Sequence, residues 1–320
     1  MKNLIVLVTL FLSVFNARGQ KSDTTFYSLK ANNPNYSYFG GGLNYDLSFN
    51  GYNFTLAAFG GNIRYLSDKL DLKLKSRYHV AERLITVSGI TPIHESIYKP
   101  TNSVDYSFIG SYFFVNNTNK NNVIITLKKV GNTTYVSEVE AKTSFRWGVD
   151  LGLMSGSTFF SFGNEEVINK DFIDANGNAV STDITLPITS YFDFTTIKIG
   201  INKTEVEGVT IETDKYGVKK EYSINKKYAH LLVLANSSID DIYFKNEAYN
   251  GVPEYYELIE LNGMDRSIIG MAVGYEYYVI GDKIDFGWTA ELGVMPGPKT
   301  KIAKRSYLKF SIDFNIGKTL

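Results

Sequence analysis

Residues 69–80, KLDLKLKSRYHV, decide the fold of this chain because two kinds of side chain alternate along them. Leucine, tyrosine and valine occupy the even positions, with Ser76 as their one polar member, and the odd positions carry charged residues or histidine. A period of two is that of a β-strand whose faces lie in different surroundings. The segment therefore predicts a strand with one apolar and one charged face.

The same alternation returns near the end of the chain, in residues 284–294 and 307–316. A strand in a soluble protein is typically about five or six residues long, whereas a tilted strand that crosses a bilayer needs about nine to eleven. No Lys or Arg interrupts the apolar faces of the three segments, and a Lys or Arg facing lipid at the midplane costs roughly 2–4 kcal/mol. Length and face composition together indicate strands that span a membrane.

Seven further segments repeat the pattern in weaker form, at residues 36–48, 53–65, 104–115, 143–154, 189–201, 222–234 and 267–279. An extra hairpin at residues 123–129 and 134–141, divided by Gly131 and Asn132, would raise the count from ten to twelve. An even count returns both termini to one side, as in bacterial barrels. We predict an all-β fold, an antiparallel up-and-down transmembrane β-barrel of about ten strands (ten to twelve).

The connections predict how this barrel is oriented. Short turns are typical of the periplasmic side, and Ser67-Asp68 and Gly281-Asp282 are two of them. The longer segments 81–103, 163–187 and 236–266 then lie outside the cell. Residues 203–221 should be periplasmic but are too long for a turn, so we predict an extended hairpin beyond the membrane.

The beginning of the chain has the features of a secretory signal. Lys2 precedes an apolar run over residues 4–15, which is too short to span a bilayer, and Ala17-Arg18-Gly19 forms a small-x-small cleavage site. We predict a signal peptide over residues 1–19, a periplasmic lead over 20–34, and one barrel domain over 35–320. The predicted location is the outer membrane.

Composition excludes several functions. The absence of cysteine excludes disulfides, a thiol nucleophile and an N-terminal lipid anchor. The formal net charge of zero gives no basic field for nucleic acid. We expect no cofactor, and we expect outer-membrane lipid and other envelope proteins as partners.

The chain after the signal resembles outer-membrane β-barrel proteins of the Bacteroidetes. The resemblance is carried by Arg18-Gly19-Gln20 and by the terminal strand over residues 307–316. It implies a membrane barrel and transfers no functional residue. The chain ends in Leu320, where many barrel assembly signals end in Phe.

The polar faces of the strands supply the candidate site. A barrel of about ten strands is narrow and mostly filled by its own side chains. We therefore predict an ion-paired network inside the barrel, and a narrow polar conduit is the alternative. Its predicted members are Lys73, Lys75, Arg77, Arg146, Asp150, Lys198, Glu276, Asp285, Glu291, Lys309 and Asp313.

The predicted function is that of a non-enzymatic barrel with a structural or accessory role, or that of a narrow channel. One alternative is an enzyme at the outer rim that uses His79, His94 and Glu95, but the sequence fixes no geometry in which a carboxylate holds a histidine near a substrate. A second alternative is a soluble exported β-sandwich that binds carbohydrate. It explains the alternation but not the length of the strands.

Two further patterns have ordinary explanations. Asp171, Asp174 and Asn176 have part of the spacing of a calcium loop, but the twelfth position counted from Asp174 is Leu186 instead of Glu, which favours a turn. Ten aromatic residues are predicted to line the bilayer interfaces or to pack: Tyr106, Phe108, Tyr112, Phe114, Trp147, Phe159, Phe160, Tyr275, Tyr277 and Trp288.

Overall fold

A computed structural model describes most of the chain after the predicted signal. It covers residues 26–50, 53–86, 89–92, 104–131, 133–162, 172–173, 179–180, 188–239, 242–245, 256–259, 265–281, 283–298 and 305–320. The predicted signal peptide therefore lies outside the described residues. Within the described residues, no helix is both long and apolar enough to cross a membrane.

The described secondary structure consists of β-strands. In chain order they are β1 Tyr27–Asn32, β2 Tyr38–Asn50, β3 Asn53–Leu66, β4 Leu70–Thr86, β5 Gly89–Pro92, β6 Val104–Val130, β7 Thr133–Phe162, β8 Phe172–Ile173, β9 Ala179–Val180, β10 Ile188–Thr213, β11 Gly217–Ile239, β12 Ile242–Lys245, β13 Tyr256–Ile259, β14 Arg266–Ser267, β15 Ile269–Val279, β16 Asp285–Val294, β17 Gly297–Pro298 and β18 Ser306–Thr319.

Ten of these strands close a barrel: β2, β3, β4, β6, β7, β10, β11, β15, β16 and β18. Each pairs antiparallel with the next, and β18 pairs with β2 to complete the ring. Following paired residues once around the ring from Tyr38 leads to Asn50, a stagger of 50 minus 38, or twelve residues. Such a stagger tilts the strands against the barrel axis. The predicted fold class is confirmed, with ten strands.

The apolar faces of the strands point away from the barrel. Leu43, Leu151 and Met271 are each more than half exposed on the outside, whereas Arg64 and Asp313 are almost completely buried inside. A soluble sandwich would pack the apolar faces together and leave the charges in water. The alternative of a soluble β-sandwich is therefore wrong.

One end of the barrel, which we call the terminal end, carries the start of β2 and the end of β18. Exposed aromatic residues ring the outside near this end, among them Tyr112, Phe114 and Trp147. The ammonium group of Lys203 lies 5.9 Å from the ring centres of both Phe145 and Trp147. Aromatic rings beside a cation are typical of the bilayer interface, so this level marks the edge of the apolar belt.

Of the other predicted interface aromatics, Tyr106 and Phe108 are also exposed on the outside. Tyr275 and Tyr277 are half-buried beside the ring of Trp288. The side chains of Phe159 and Phe160 lie outside the described residues.

Four barrel strands continue past the terminal end. β7 and β10 pair as far as Thr143 and Glu207 and then separate, and β1 takes the place of β7 beside β10. We call residues 27–32, 116–143 and 207–223 the extension. The predicted extra hairpin is therefore a prolongation of β6 and β7 and adds no barrel strands. The predicted hairpin over residues 203–221 is present as the ends of β10 and β11.

The extension has an apolar core of its own. Seven buried side chains form it: Val123, Ile125, Leu127, Val139, Ala141, Val209 and Ile211. These residues lie on strand positions that continue the outward faces of the barrel, since Val209 and Ile211 follow Ile199 and Ile201 at even spacing on β10. The prolonged β6–β7 hairpin thus covers a face that points outward within the barrel.

Two carboxyl groups stand at the edge of this core. Burial raises the pKa of Glu221 to about 7, and the nearby carboxyl of Glu207 adds to the rise. Burial also raises the pKa of Glu207, which accepts a hydrogen bond from the hydroxyl of Ser223 at 2.9 Å. Two neighbouring acids in an apolar setting disfavour each other's charge.

The opposite end, which we call the loop end, carries the long connections between strands. Short strands from two of these connections form a small sheet in the order β12, β13, β8, β9. β5 folds back onto β4, and β14 pairs with β17. The three predicted long segments all belong to this end.

Candidate functional site

A layer of aromatic and aliphatic side chains packs inside the barrel at the terminal end. We call this layer the sealing cluster: Tyr36, Tyr38, Leu66, Phe113, Val206, Ile224 and Tyr278. The hydroxyl of Tyr38 donates to Asp285 at 2.5 Å and lies 2.8 Å from the hydroxyl of Tyr278. The hydroxyl groups of the two tyrosines are thus hydrogen-bonded, and the apolar parts of their rings fill the terminal end of the barrel.

Glycines make room for the sealing cluster. A Cβ atom at Gly40 or Gly317 would collide with the ring of Tyr38. A Cβ atom at Gly287 would likewise collide with the ring of Tyr278. The rings therefore lie directly against the backbone of their own strand at Gly40 and of neighbouring strands at Gly317 and Gly287, which is a close approach that only glycine permits.

The chain before β2 contributes to the same closure. The guanidinium of Arg146, which is fully buried, donates to the carbonyl of Ser67 at 2.7 Å and to that of Pro34 at 3.0 Å. The hydroxyl of Tyr36 donates to the carbonyl of Ser223 at 3.4 Å. These hydrogen bonds hold residues 33–37 across the terminal end of the barrel. The predicted lead over residues 20–34 also contains the strand β1.

Next to the sealing cluster lies a first group of buried ion pairs. Arg64 donates to both oxygens of Asp71, at 3.0 and 2.9 Å, and to Glu276 at 2.5 Å. Lys73 pairs with the other oxygen of Glu276 at 2.5 Å. Arg64 therefore bridges two carboxylates on opposite walls, and a forked guanidinium is well suited to that task.

A second group is centred on Asp150. Its Oδ1 accepts from Asn202 at 2.6 Å and from Lys226 at 3.2 Å, and its Oδ2 lies 2.8 Å from the Nε2 of His230. Lys226 also donates to the hydroxyl of Ser111 at 2.6 Å. Since the carboxylate is an acceptor, Nε2 of His230 carries the proton. Asp150 thus has a donor on each oxygen.

A third group lies further toward the loop end and is centred on Asp46. This carboxylate accepts from Arg77 at 2.6 Å and from the hydroxyl of Ser311, and it pairs with Lys309 at 3.0 Å. Beside it, Lys75 donates to both oxygens of Asp313, at 2.7 and 2.8 Å.

Glu291 is held differently from the other acids. Its two oxygens accept from the hydroxyls of Tyr307, at 2.7 Å, and Tyr228, at 2.9 Å. The ammonium of Lys198 lies 3.7 Å from Glu291, which is too long for a hydrogen bond. Lys198 is therefore held more loosely than the other described cations around this cavity-facing group.

A cavity of about 90 Å³ lies between these groups. Among its described lining residues are six cations and two carboxylates, Glu276 and Glu291. The cations are Lys73, Lys75, Arg77, Lys198, Lys226 and Lys309. Such a volume holds several water molecules.

The structure places all eleven predicted network residues inside the barrel, although they do not form one cluster. Eight are buried, and Lys73, Lys75 and Lys309 are partly exposed to the interior. Arg146 and Asp285 lie with the sealing cluster, and the other nine belong to the three ion-pair groups or to the surroundings of Glu291. Several interior residues were missed from the sequence: Asp46, Arg64, Asp71, Lys226, Tyr228 and His230.

The residues considered for catalysis or metal binding are not brought together. His94, Glu95, Asp171, Asp174 and Asn176 lie outside the described residues, as does the side chain of His79. In the described part of the chain, no group of three or more His, Asp or Glu residues could hold a metal ion.

Comparison with known proteins finds distant structural neighbours only. No family model and no curated protein matches the chain. The TodX deltaS2S3 mutant monoaromatic hydrocarbon channel has 9% identity and a TM-score of 0.24, with 90% of this chain and 91% of that chain covered. OprB of Pseudomonas putida has 8% identity and a TM-score of 0.20, with 91% of this chain and 94% of that chain covered. An anion-selective porin from Comamonas acidovorans has 9% identity and a TM-score of 0.17, with 93% of this chain and 100% of that chain covered. At such scores the likeness carries no argument about function.

Proposed function

We propose that the protein is an outer-membrane β-barrel that is closed to passive solutes and serves a structural or accessory role in the cell envelope. Support for a lipid surrounding comes from the exposed apolar faces and the aromatic ring near Trp147. The terminal end would face the periplasm, because bacterial barrels keep both termini and their short turns there. The extension would then stand in the periplasm, where other envelope proteins could contact it.

The observation that carries this proposal is that buried side chains fill two successive levels of the interior. The sealing cluster fills the terminal end, and the ion-pair group of Arg64, Asp71 and Glu276 fills the level next to it. Arg64 and Asp71 are each 1% exposed. A path for solutes would have to cross both levels, so the geometry supports a closed barrel over an open conduit.

Conductance in a planar lipid bilayer tests the closure. We expect the purified protein to insert without stepwise current in molar potassium chloride. Tyr38→Ala and Tyr278→Ala combined with Arg64→Ala should increase the current, because the three changes open both the sealing cluster and the ion-pair level next to it. Tyr112→Ala, which removes an equally large ring from the outside, is the matched control and should leave the membrane silent. Regular current steps from the unmodified protein would establish the alternative, a narrow channel.

Export and location need a separate experiment. Residues 1–19 are proposed to be a cleaved signal peptide, and the resemblance to Bacteroidetes outer-membrane barrels is consistent with that route. We expect the protein in the outer-membrane fraction, with Gln20 as its first residue and a gel mobility that changes on heating. A freely soluble periplasmic product that retains residues 1–19 would refute both the proposed cleavage of the signal peptide and the proposed location in the outer membrane. No enzymatic activity is included in the proposal.

A further inference from the structure

Four outward side chains form one row across neighbouring strands near the terminal end, and the two in the middle are lysines. Lys203 of β10 lies directly opposite Lys227 of β11, and both are exposed. Trp147 of β7 lies opposite Lys203 on the other side, and Tyr275 of β15 lies opposite Lys227. Directly opposed residues of an antiparallel sheet point to the same face, so all four share the outside of the barrel. We call these four residues the basic row.

The basic row lies where the outward face of these strands changes from apolar to polar. The adjacent row on the loop-end side contains only apolar residues: Val149, Ile201, Ala229 and Val273. The adjacent row on the terminal side contains polar residues among aromatic ones: Phe145, Glu205, Asn225 and Tyr277. In the proposed membrane, the two ammonium groups therefore lie at the edge of the hydrocarbon, which is the level of the lipid headgroups.

The protein does not neutralise the two lysines of the basic row. Among the described residues neither ammonium group forms an ion pair, and that of Lys203 contacts only the ring faces of Phe145 and Trp147. Glu205, two residues further along the same face of β10, lies opposite Asn225 and pairs with neither lysine. Counting this carboxylate, the face still has one positive charge in excess. Like charges directly opposite each other destabilise a sheet, and an anion bound between them would remove the repulsion.

We infer that the basic row binds the phosphate of an anionic phospholipid, of the class of phosphatidylglycerol. The inference rests on the proposed membrane surroundings of the barrel. The two ammonium groups offer charge and hydrogen-bond donors to the phosphate, and the flanking rings of Trp147 and Tyr275 contact the adjoining part of the lipid. The apolar row beside the lysines favours a lipid over a soluble anion, because only a lipid covers that row with its acyl chains. A zwitterionic lipid gains less, because it brings its own cation to the two lysines.

Quenching of Trp147 fluorescence by brominated lipids tests the inference. The chain has two tryptophans, so Trp288→Phe leaves Trp147, opposite Lys203, as the one reporter. The protein with this change is reconstituted in vesicles of equal parts phosphatidylcholine and phosphatidylglycerol, with bromine on the acyl chains of one lipid or of the other. Quenching requires contact, so the two experiments together give the relative affinity of the lipids for the surface around Trp147. We expect a preference of about fivefold for phosphatidylglycerol.

Variants separate the basic row from the total charge of the protein. Lys203→Met combined with Lys227→Met should abolish the preference. Lys203→Arg combined with Lys227→Arg keeps both charges and should keep the preference. Lys120→Met combined with Lys318→Met is the matched control, because it removes two exposed lysines outside the basic row, and it should also keep the preference.

The outcomes distinguish a failure of this inference from a failure of the proposed function. Equal quenching by both lipids overturns the lipid site but leaves the membrane surroundings intact, whereas no quenching by either lipid contradicts the membrane surroundings themselves. A preference that survives both methionine replacements, or that the control also loses, overturns the site as well. Replacing chloride by inorganic phosphate at equal ionic strength should leave the preference unchanged, and its loss would assign the lysines to a soluble anion. Trp288→Tyr is the second background if Trp288→Phe does not assemble, which heat-modifiable gel mobility reports.

Discussion

The interior of the barrel and the core of the extension are filled by opposite kinds of side chain. The barrel interior is held by buried charges such as Arg64 and Asp71, each 1% exposed, and apart from the sealing cluster the large apolar residues of the barrel face outward. The extension buries Val209 and Ile211 completely and exposes charged residues such as Lys120 and Glu140. One chain thus contains an inside-out region and a conventional one.

The strand β10 belongs to both regions and shows what separates them. Along one of its faces, Ile199 and Ile201 are about half exposed, whereas Val209 and Ile211 are fully buried. The sequence pattern is the same on both sides of Lys203. What changes is the partner of the apolar face, which is the β6–β7 hairpin in the extension. For the barrel, the proposed partner is lipid. Alternation therefore specifies a two-faced strand, and the surroundings decide which face is buried.

The largest effect is expected from breaking the buried charge network. Arg64→Met would remove the buried cation that bridges Asp71 and Glu276. Removing one member of a buried pair costs about 3–5 kcal/mol. Urea titration followed by heat-modifiable gel mobility measures the loss. Lys30→Met, which removes an exposed pair with Glu212, is the control and should change stability by less than about 1 kcal/mol.

A smaller loss of stability is expected when a substitution creates a cavity in the core of the extension. Ile211→Ala should destabilise the extension by about 3 kcal/mol, because the deleted methyl groups are fully buried. Faster hydrogen exchange of the β10 amides over residues 208–213 reports it, with barrel amides unchanged. Ile124→Ala, at a half-exposed position of the same extension, is the matched control. Equal losses in barrel and extension would show that the two regions do not open separately.

One lysine placed on the outer face of each region tests whether lipid or water covers that face. Leu151 in the barrel and Ile124 in the extension are both more than half exposed. Leu151→Lys should cost about 2–3 kcal/mol because the ammonium would face hydrocarbon. Ile124→Lys should stay within about 0.5 kcal/mol because it would face water. Urea midpoints of the two variants make the comparison, and similar midpoints would contradict it.

The smallest effect is a pH dependence confined to the extension. The pKa of Glu221 is raised from 4.5 to about 7, so the folded extension holds a proton that the unfolded segment releases. The extension therefore loses stability as the pH rises from about 4.5 to about 7, and the loss stays constant above that range. For this partly exposed group we expect about 1–2 kcal/mol.

Glu221→Gln removes this dependence by removing the titrating group. Hydrogen exchange of the β11 amides at pH 5 and pH 8, corrected for the intrinsic exchange rate, should differ in the unmodified protein and agree in the variant. Glu138→Gln on the exposed face of β7 serves as the control. A variant that keeps the full pH dependence would assign it to Glu207 or to another group.

The sequence is informative about the strands because alternation is a local property. The segment over residues 69–80 predicts β4 and the direction of both its faces, and all ten barrel strands follow from the same pattern. Strand ends are harder to predict, since β6 runs to Val130 through the polar residues 116–122, where the apolar alternation stops but the strand continues. Only the length of residues 203–221 indicated a structure beyond the membrane.

The interior network was only partly predictable, for two different reasons. Asp46 and Arg64 alternate with apolar neighbours in β2 and β3, a signal that was present but weak among many glycines. His230 lies in an apolar-looking strand, and its role depends on Asp150, 80 residues away. Pairing across the barrel, such as Arg64 with Glu276, depends on strand order and stagger, which no local pattern contains. The local sequence pattern therefore identifies candidate residues for the interior network but does not show which of them pair.

The central claim is that hydrocarbon covers the outward apolar faces of the barrel. The chain has no cysteine, so single nitroxide labels can be attached at Leu151→Cys and Ile124→Cys without background. In lipid vesicles, we predict that the label at position 151 relaxes strongly with oxygen and weakly with a water-soluble nickel chelate, and that the label at position 124 does the reverse. A label at position 151 that the nickel chelate reaches as readily as the one at 124 would contradict the account.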